Sequence, residues 1–366
     1  MKKFPIKSIF SLRIAMLGIF LLCVASVTLS AQDTTENYIK TTTYKEPSST
    51  SITDSNSPDI AIDIIYFDGL GRPKQKIAHK QSGNGDDLIT HIEYDGFGRQ
   101  PLDFLPYERS ASLNPDGDVN SSITGFYSNT PNPWSEKIFE ESFLNRVSEQ
   151  AAPGDDWAMV NEHTIKFSYE TNSATEVHYF SVSLGNGTPS LNHEGKYPKG
   201  YLYKNVVKNE NWQSSDGDKN TTIEYKDKMG RVILKRAYDI PIGADKSSSG
   251  TIILDTYYVY DTYGNLTFVL PPKLSAQISA GGSIGIEPME ELSYQYQYDY
   301  RNRLIAKKIP GKDHWEYMVY DNLNRLIATG PALSPFGDGA EGWLHTKYDI
   351  HNRVAYTLWK QGAVGK

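Results

Sequence analysis

One short motif recurs seven times along this 366-residue chain, and it constrains the fold more than any other feature. Each copy has an aspartate, two variable residues, and then glycine or asparagine. Arginine follows in six copies, and Asn265 takes its place in the seventh. Tyrosine stands directly before the aspartate in five copies and one residue earlier in two. The copies are YFDGLGR from Tyr66, YDGFGR from Tyr94, YKDKMGR from Tyr225, YDTYGN from Tyr260, YDYRNR from Tyr298, YDNLNR from Tyr320 and YDIHNR from Tyr348.

The motif has the composition of a β-turn that closes a hairpin. Aspartate is favoured at the first turn position because its carboxylate accepts hydrogen bonds from backbone N–H groups two residues on. The closing position needs left-handed backbone geometry, which glycine or asparagine adopts at least cost. We therefore predict turns that are opened by Asp68, Asp95, Asp227, Asp261, Asp299, Asp321 and Asp349 and closed by Gly71, Gly98, Gly230, Gly264, Asn302, Asn324 and Asn352.

The residues on either side of the turns alternate like β-strands. THIEY from Thr90 and TTIEY from Thr221 lead into a turn with period two, while RVILKR from Arg231 and RLIAKK from Arg303 lead away from one. Each unit is thus predicted to be a β-hairpin with tyrosine and arginine near its tip, where ring and guanidinium could stack. The alternative is that the tyrosines pack across strands and the arginines are solvated.

These hairpins predict an all-β protein. The chain holds 25 tyrosines, and long amphipathic helical windows are hard to find. The equivalent positions 231, 265, 303, 325 and 353 are separated by 34, 38, 22 and 28 residues, which excludes a uniform solenoid. This irregular spacing favours hairpins joined in one spiralling sheet by connections of variable length.

At these motifs the sequence resembles the RHS-repeat or YD-repeat family, in particular secreted bacterial members. The repeat half contributes YLYKNVVKNENW from Tyr201, YYVYDTYGNLTFVLPP from Tyr257 and HWEYMVYDNLNRL from His314. YFDGLGRPKQKI from Tyr66 resembles a domain of unknown function that precedes the repeats in these members. The resemblance covers roughly residues 37 to 366. It implies an N-terminal β-rich domain followed by YD-type hairpins that form part of a hollow shell.

The resemblance also implies partners. In bacterial members an RHS core region with Asp-Pro motifs closes the shell and holds a variable C-terminal toxin inside. The present sequence has no Asp-Pro dipeptide and ends just after its seventh motif. We therefore expect a fragment of a longer protein, with a short stand-alone chain as the alternative. The expected partners are a C-terminal toxin or effector domain, or further repeats of the same protein.

The first residues read as a cleaved secretory signal peptide. Four basic residues precede an apolar run from Ile14 to Val27, and small residues follow around Ala31. That run is short for a helix that spans a hydrocarbon core of ~30 Å, although a retained anchor is the alternative. We predict a secreted or cell-surface protein, with no membrane association after cleavage. The only cysteine, Cys23, leaves with the leader, so no disulfide or thiolate site is expected.

Charge argues against nucleic-acid partners. The formal net charge is −7, and loss of the leader with its four positive charges makes it −11. An acidic chain repels phosphate backbones.

Four segments are predicted from these patterns. Residues 1–31 form the leader, and residues 32–60 form a polar lead-in with a strand around YIKTTTY. Residues 61–200 form the N-terminal β-rich domain with two hairpins, and residues 201–366 form the region of five repeat hairpins.

Two local predictions concern the N-terminal domain. Phe139, Phe143 and Val147 are spaced for one face of a short helix, whereas the family resemblance favours extended structure there. The stretch from Ile165 reads as two strands joined at TNSA.

Motifs for catalysis or cofactor binding are not found, so no catalytic, cofactor or metal residues are assigned. The paired stretches DGDVN from Asp116 and DGDKN from Asp216 resemble the start of a calcium loop, but Ser121 and Thr221 stand where an EF-hand needs glycine. We therefore expect a non-enzymatic structural scaffold. The alternative is an adhesin or carbohydrate-binding module that stacks glycans on exposed rings such as Trp315 and Trp343.

Overall fold

The computed structural model describes residues 36–185, 188–239, 251–278 and 284–362. Most of their regular secondary structure is antiparallel β-strand, which confirms the predicted all-β class. The predicted leader, residues 1–31, lies outside the described residues. Within the described ranges, no helix is long and apolar enough to cross a membrane.

The strands, in chain order, are β1 (Asn37–Tyr44), β2 (Ile60–Phe67), β3 (Pro73–His79), β4 (Asp87–His91), β5 (Leu102–Phe104), β6 (Tyr107–Arg109), β7 (Trp134–Phe139), β8 (Val147–Ala151), β9 (Thr164–Thr171), β10 (His178–Gly185), β11 (Thr188–Lys196), β12 (Tyr203–Lys208), β13 (Thr221–Lys226), β14 (Val232–Asp239), β15 (Ile252–Tyr260), β16 (Leu266–Leu270), β17 (Tyr294–Tyr298), β18 (Leu304–Lys308), β19 (Glu316–Tyr320), β20 (Leu326–Leu333), β21 (Glu341–Tyr348) and β22 (Val354–Gln361). The α-helices are α1 (Val119–Phe126), α2 (Pro272–Ser275) and α3 (Ile286–Leu292), and single 3₁₀ turns span Asp155–Trp157, Met159–Asn161 and Ser214–Asp216.

The chain divides into two compact units, Met1–Trp134 and Ser135–Lys366. This division falls inside the segment 61–200 that the sequence assigns to one domain. The predicted segment boundaries stay predictions.

The first unit is built on a five-stranded antiparallel sheet in the order β1-β2-β3-β4-β6. Side chains of β2 alternate between buried and less buried positions, as expected for a strand with one face against a core. Ile62, Ile64, Ile77 and Ile89 point into that core together with Tyr107, and each is almost fully buried. The lead-in strand predicted around YIKTTTY is β1.

A buried contact between a histidine and an aspartate joins β3 and β4 of this sheet. Nδ1 of His79 lies 2.7 Å from Oδ1 of Asp87, and the Asp87 side chain has no exposed surface. The same carboxylate accepts hydrogen bonds from the backbone N–H groups of Lys80 and Ser112, at 3.0 and 2.7 Å. A buried carboxylate is tolerated when it is paired and hydrogen-bonded in this way.

The second unit contains a long antiparallel sheet whose strands run in the order β22-β21-β20-β19-β18-β17-β16-β15-β14-β13-β12-β9-β8-β7. From β13 onward each strand pairs with the next in sequence. Because consecutive antiparallel strands reverse direction, the turns after β13, β15, β17, β19 and β21 all lie at the same end of the strands. The turn between β7 and β8 lies at that end as well.

A separate two-stranded hairpin, β10–β11, covers part of one face of the long sheet. Val177 and Phe180 pack there against Tyr225, Leu234 and Tyr257 of the sheet. Helices α2 and α3 add Leu274, Met289 and Leu292 to the same core. Burial of these apolar side chains supplies the main driving force for folding of the unit.

Of three local predictions, two differ from the structure, and the two strands joined at TNSA are confirmed. The helix suggested by Phe139, Phe143 and Val147 is wrong, because these residues belong to the β7–β8 hairpin. The strands joined at TNSA are β9 and β10, and they lie in different sheets. After the Asp95 turn, strand pairing is reduced to a single bridge, between Ile92 and Asp103. Pro101 follows that turn and has no N–H group with which to continue a ladder.

Candidate functional site

The candidate site is the set of hairpin tips, and the structure places all fourteen predicted turn residues in such tips, four of them in the first unit and ten in the second. In each turn the backbone N–H of the closing residue donates to the carbonyl of the opening aspartate, at 2.9 to 3.1 Å. The closing residues all have left-handed geometry, with φ from 76° to 87° for the glycines and from 58° to 63° for the asparagines. Pairing registers shift by one residue just before seven of the turns described, including that of the β7–β8 hairpin.

Each aspartate carboxylate organises its own turn. In the Asp321 turn, Oδ1 accepts hydrogen bonds from the backbone N–H groups of Leu323 and Arg325, both at 2.9 Å. Nε of Arg325 donates to Oδ2 at 2.7 Å. The backbone hydrogen bond from Arg325 is the largest influence on this carboxyl, and together with the guanidinium it holds the pKa of Asp321 below its usual value.

Four tip arginines stack on the tyrosine of the next hairpin, not on that of their own, whereas Arg99 lies 4.9 Å from the ring centroid of Phe97 in its own turn. The guanidinium carbon lies 4.2 Å from the ring centroid for Arg72 on Tyr94, 4.8 Å for Arg231 on Tyr260, 4.7 Å for Arg303 on Tyr320 and 4.9 Å for Arg325 on Tyr348. Stacking within one hairpin was the simplest expectation from the sequence. The structure shows instead that the motif joins neighbouring hairpins through cation–π contacts.

The tyrosine hydroxyl adds a second link between neighbours. It donates to the backbone carbonyl of the residue that follows the motif in the preceding hairpin. The donor and acceptor residues are Tyr94 and Pro73, Tyr260 and Val232, Tyr298 and Leu266, Tyr320 and Leu304, and Tyr348 and Leu326, at 2.9 to 3.2 Å. The tyrosine hydroxyls therefore link successive hairpins, and we call this series of contacts between neighbouring hairpin tips the ladder of tips.

A closing asparagine provides a third link that glycine cannot. Nη1 of Arg303 donates to Oδ1 of Asn324 at 2.8 Å, and Nη1 of Arg325 donates to Oδ1 of Asn352 at 2.9 Å. Glycine and asparagine are therefore equivalent within a turn but different between turns.

An eighth turn of this kind escaped the sequence search. Glu140 takes the place of aspartate in FEESFLNR, where two extra residues separate it from Asn145 and Arg146. The two charged side chains pair at 2.6 and 2.7 Å, and Arg146 stacks 4.2 Å from the ring of Tyr169. The Tyr169 hydroxyl donates to the carbonyl of Val147 at 2.9 Å. The shared letters Leu-Asn-Arg, also present in the Asp321 motif, were the available signal.

Every tip also exposes a large side chain that the turn itself does not need. The most exposed are Leu70, Phe97, Phe143, Met229, Tyr263, Tyr300, Leu323 and Ile350. Single exposed apolar residues are ordinary, but a large exposed side chain that recurs at every hairpin tip marks a surface available to a partner.

The other candidate residues from the sequence are partly buried or make hydrogen bonds within the fold. Trp315 and Trp343 are half-buried, so they are not the freely exposed rings that glycan stacking requires. Asp116 accepts a hydrogen bond from the Tyr107 hydroxyl at 2.6 Å, and Asp216 belongs to a capping box with Gln213. In the described ranges, no group of three acidic, histidine or cysteine side chains is arranged to hold a metal ion.

A charged network lies beside the tips. Glu176 accepts hydrogen bonds from Nζ of Lys204 at 2.8 Å, from the Tyr225 hydroxyl at 2.7 Å and from the Ser173 N–H at 2.8 Å. Burial raises the pKa of Glu176, but these three donors outweigh it and lower the pKa to about 2. The network ties the segment before β10 to the long sheet.

Part of the chain is similar to a described protein family. Residues 40–171 match the family model described as "Domain of unknown function (DUF6443)". No curated protein matches the chain significantly.

Solved structures of similar fold come from toxin complexes. The Tc holotoxin pore of Photorhabdus luminescens, with a TccC3 mutation, aligns at a TM-score of 0.50 and 13% identity and covers 85% of the present chain. TcdB2–TccC3 without its hypervariable C-terminal region aligns at 0.49 and 12% identity, covering 82%. The present chain spans only 13% and 12% of those chains, respectively. At such identities the likeness concerns the fold alone.

Proposed function

We propose that this chain is a secreted, non-enzymatic wall segment of an RHS/YD-type shell that encloses a toxin or effector domain. The observation that carries the proposal is the ladder of tips, in which arginine, tyrosine and asparagine join each hairpin to the next. A ladder of this kind stiffens a continuous sheet without forming a catalytic centre. The fold likeness to the Photorhabdus luminescens Tc holotoxin pore supports the same role.

The arrangement of contacts suits enclosure more than catalysis. Six of the seven tip aspartates pair with the arginine of their own turn, so these charged groups are used in contacts within the tips. Nearest-neighbour coupling allows a sheet to be extended by adding hairpins, as in other repeat proteins. We therefore assign the repeats to the wall, and the activity to an enclosed domain. Export through the cleaved leader 1–31 is part of the proposal.

The test is to isolate the native protein with an antibody against residues 60–200. Its mass would be measured, and its shape determined by electron microscopy. We expect a mass well above the 41.1 kDa of this sequence and a hollow particle with density inside. Limited proteolysis should leave the enclosed domain intact until the shell is opened. A particle of about 41 kDa with no interior would contradict the proposal.

A second candidate function, a cell-surface adhesin or glycan-binding module, is favoured by the exposed rings at the tips. Tyr263 and Tyr300 are 72% and 86% exposed, unlike the half-buried Trp315 and Trp343. Glycan-array binding that disappears in a Tyr263→Ala, Tyr300→Ala variant would favour this function. Binding that also disappears in a Phe97→Ala control would indicate non-specific adhesion.

A further inference from the structure

The ladder of tips has one vacant position, and it coincides with the one motif that lacks arginine. Asn265 stands where the other six motifs carry arginine. Its Nδ2 reaches Oδ2 of Asp261 at 3.0 Å and Oδ1 of Asn302 at 3.1 Å. The side chain is too short to cover the ring of the next tyrosine, Tyr298. In the described part of the chain, no guanidinium or ammonium group lies over that ring.

The carboxylate of this turn is also left without a cation. Asp261 is buried, with 8% of its surface exposed, and it accepts hydrogen bonds from the N–H groups of Tyr263 and Asn265. In the other turns an arginine Nε lies 2.7 Å from the equivalent oxygen, as for Arg231 and Arg303. Among the described residues, Asp261 has no such charged partner. A buried carboxylate favours a nearby positive charge.

A cavity of about 350 Å³ opens at this vacancy. We call it the Asn265 niche, and the residues that line it include Tyr263, Tyr296, Tyr298 and Tyr300 together with Asp261 and Asp299. Tyrosine faces and carboxylates together bind organic cations. Of the neighbouring arginines, Arg303 pairs with Asp299 and stacks on Tyr320, and Arg301 stacks 5.4 Å from the ring centroid of Tyr300 and donates to Asn324, so neither covers the ring of Tyr298.

We propose that the Asn265 niche binds the guanidinium of an arginine side chain supplied by another polypeptide segment. The same fold shows which group fits: at Arg231 and Arg303 a guanidinium lies between the aspartate of its own turn and the tyrosine of the next hairpin. At the niche both receiving groups are present, and the guanidinium must come from outside the motif. This inference stands whether or not the chain forms a shell.

A glycan is the competing ligand, since sugars also stack on tyrosine and bond to amide groups. The Asp261 carboxylate favours a cation, because a neutral sugar would leave it with hydrogen bonds but without a positively charged partner. Planar bidentate recognition further favours arginine over lysine.

The test uses the full chain and two peptides, acetyl-Gly-Arg-Gly-amide and its citrulline analogue. Citrulline has the same shape but no charge. Binding would be measured by calorimetry and by saturation-transfer NMR. We expect the arginine peptide to bind about tenfold more tightly than the citrulline peptide, as for a desolvated cation–π contact. Agmatine, a free guanidinium compound, is included to distinguish a small molecule from a polypeptide source.

The decisive variant is Asn265→Arg, which fills the niche with the chain's own guanidinium. It should abolish peptide binding and raise the melting temperature. Asn265→Ala is the matched control, which changes the same residue but leaves the niche open and should retain binding. If Asn265→Arg fails to fold, Tyr298→Leu should lose binding while Tyr298→Phe, which keeps the ring, retains it.

The outcomes separate the alternatives. Arginine-selective binding that Asn265→Arg removes supports the proposal. Equal binding of the two peptides, binding that survives in Asn265→Arg, or no binding of the arginine peptide would overturn it. Agmatine binding without peptide binding would overturn the polypeptide source. A glycan that binds the niche when the arginine peptide does not would overturn the choice of ligand.

Discussion

The ladder makes a quantitative prediction for Arg303. This side chain pairs with Asp299 in its own turn, stacks on Tyr320 and donates to Asn324 in the next hairpin. Arg353 makes the same pair with Asp349, but no further hairpin follows β22 within the described residues. Only 22% of the Arg303 side chain is exposed, compared with 75% of Arg353. Replacing each with methionine therefore separates the contacts within a turn from those between turns.

The expected difference follows from the contacts that Arg303 alone makes. A partly desolvated cation–π contact contributes about 1 kcal/mol. A hydrogen bond from a charged donor adds about 1.5 kcal/mol, part of which is recovered when water solvates the freed acceptor. We expect Arg303→Met to lower the free energy of opening of its tip by about 2 kcal/mol more than Arg353→Met does. That difference corresponds to about 30-fold faster amide exchange of the affected tip.

Hydrogen–deuterium exchange with mass spectrometry would measure this effect on peptides that cover residues 299–325 and 349–362. A double-mutant cycle with Tyr320→Leu should show that Arg303 and Tyr320 are coupled, because each loses its stacking partner when the other is replaced. Equal acceleration in the two arginine variants, or additive effects in the cycle, would refute the idea that the motif joins neighbouring hairpins.

Three further predictions concern other parts of the chain. Gly342→Ala should destabilise β21–β22 by about 3 kcal/mol in urea unfolding, because an added Cβ would lie 2.3 Å from a backbone oxygen, whereas Gly96→Ala meets no atom within 4 Å and should be nearly neutral. Asp87→Ala should cost the first unit about 3 kcal/mol in thermal unfolding, since it leaves His79 and two backbone N–H groups without their acceptor, and retention of the wild-type melting temperature would contradict this. The pKa of Glu176 is about 2 in the folded chain against an ordinary 4.5, so the stability that Glu176 contributes is present above pH 4.5 and is lost as the pH falls toward 2. Glu176→Gln should therefore flatten the acid-unfolding curve between these two pH values. An unchanged slope would show that the Glu176 network does not cause the loss of stability in acid.

The turns could be predicted from the sequence because their requirements are local. Asp321 and Asn324 lie three residues apart, and the carboxylate bonds and left-handed geometry depend only on residues between them and just beyond. The Glu140 turn was missed because its two added residues break the spacing while preserving the pairing with Arg146.

The links between hairpins could not be predicted with equal ease. Arg325 and Tyr348 are brought together by sheet register, which sequence spacing alone does not fix. The helix suggested around Phe143 failed for the related reason that two four-residue intervals over so short a segment fit a hairpin tip as well. Periodicity separates these structures only over longer windows.

The irregular spacing of the repeats has a physical reason, because the two ends of the strands carry different kinds of connection. In the long sheet the tips lie at one end of the strands, while β14 ends and β15 begins at the opposite end. There too β16 ends and β17 begins, with helices α2 and α3 between them in the chain. Length can therefore vary between hairpins without interrupting the contacts at the tips, since loop insertions cost little free energy. The distance between adjacent tips is set instead by two strand spacings, about 10 Å. Constant contacts between tips and connections of variable length allow intervals of 22 and 38 residues between motifs in one sheet. For the same reason the missing arginine at position 265 removes one contact between tips but does not interrupt the strand pairing of β16 and β17.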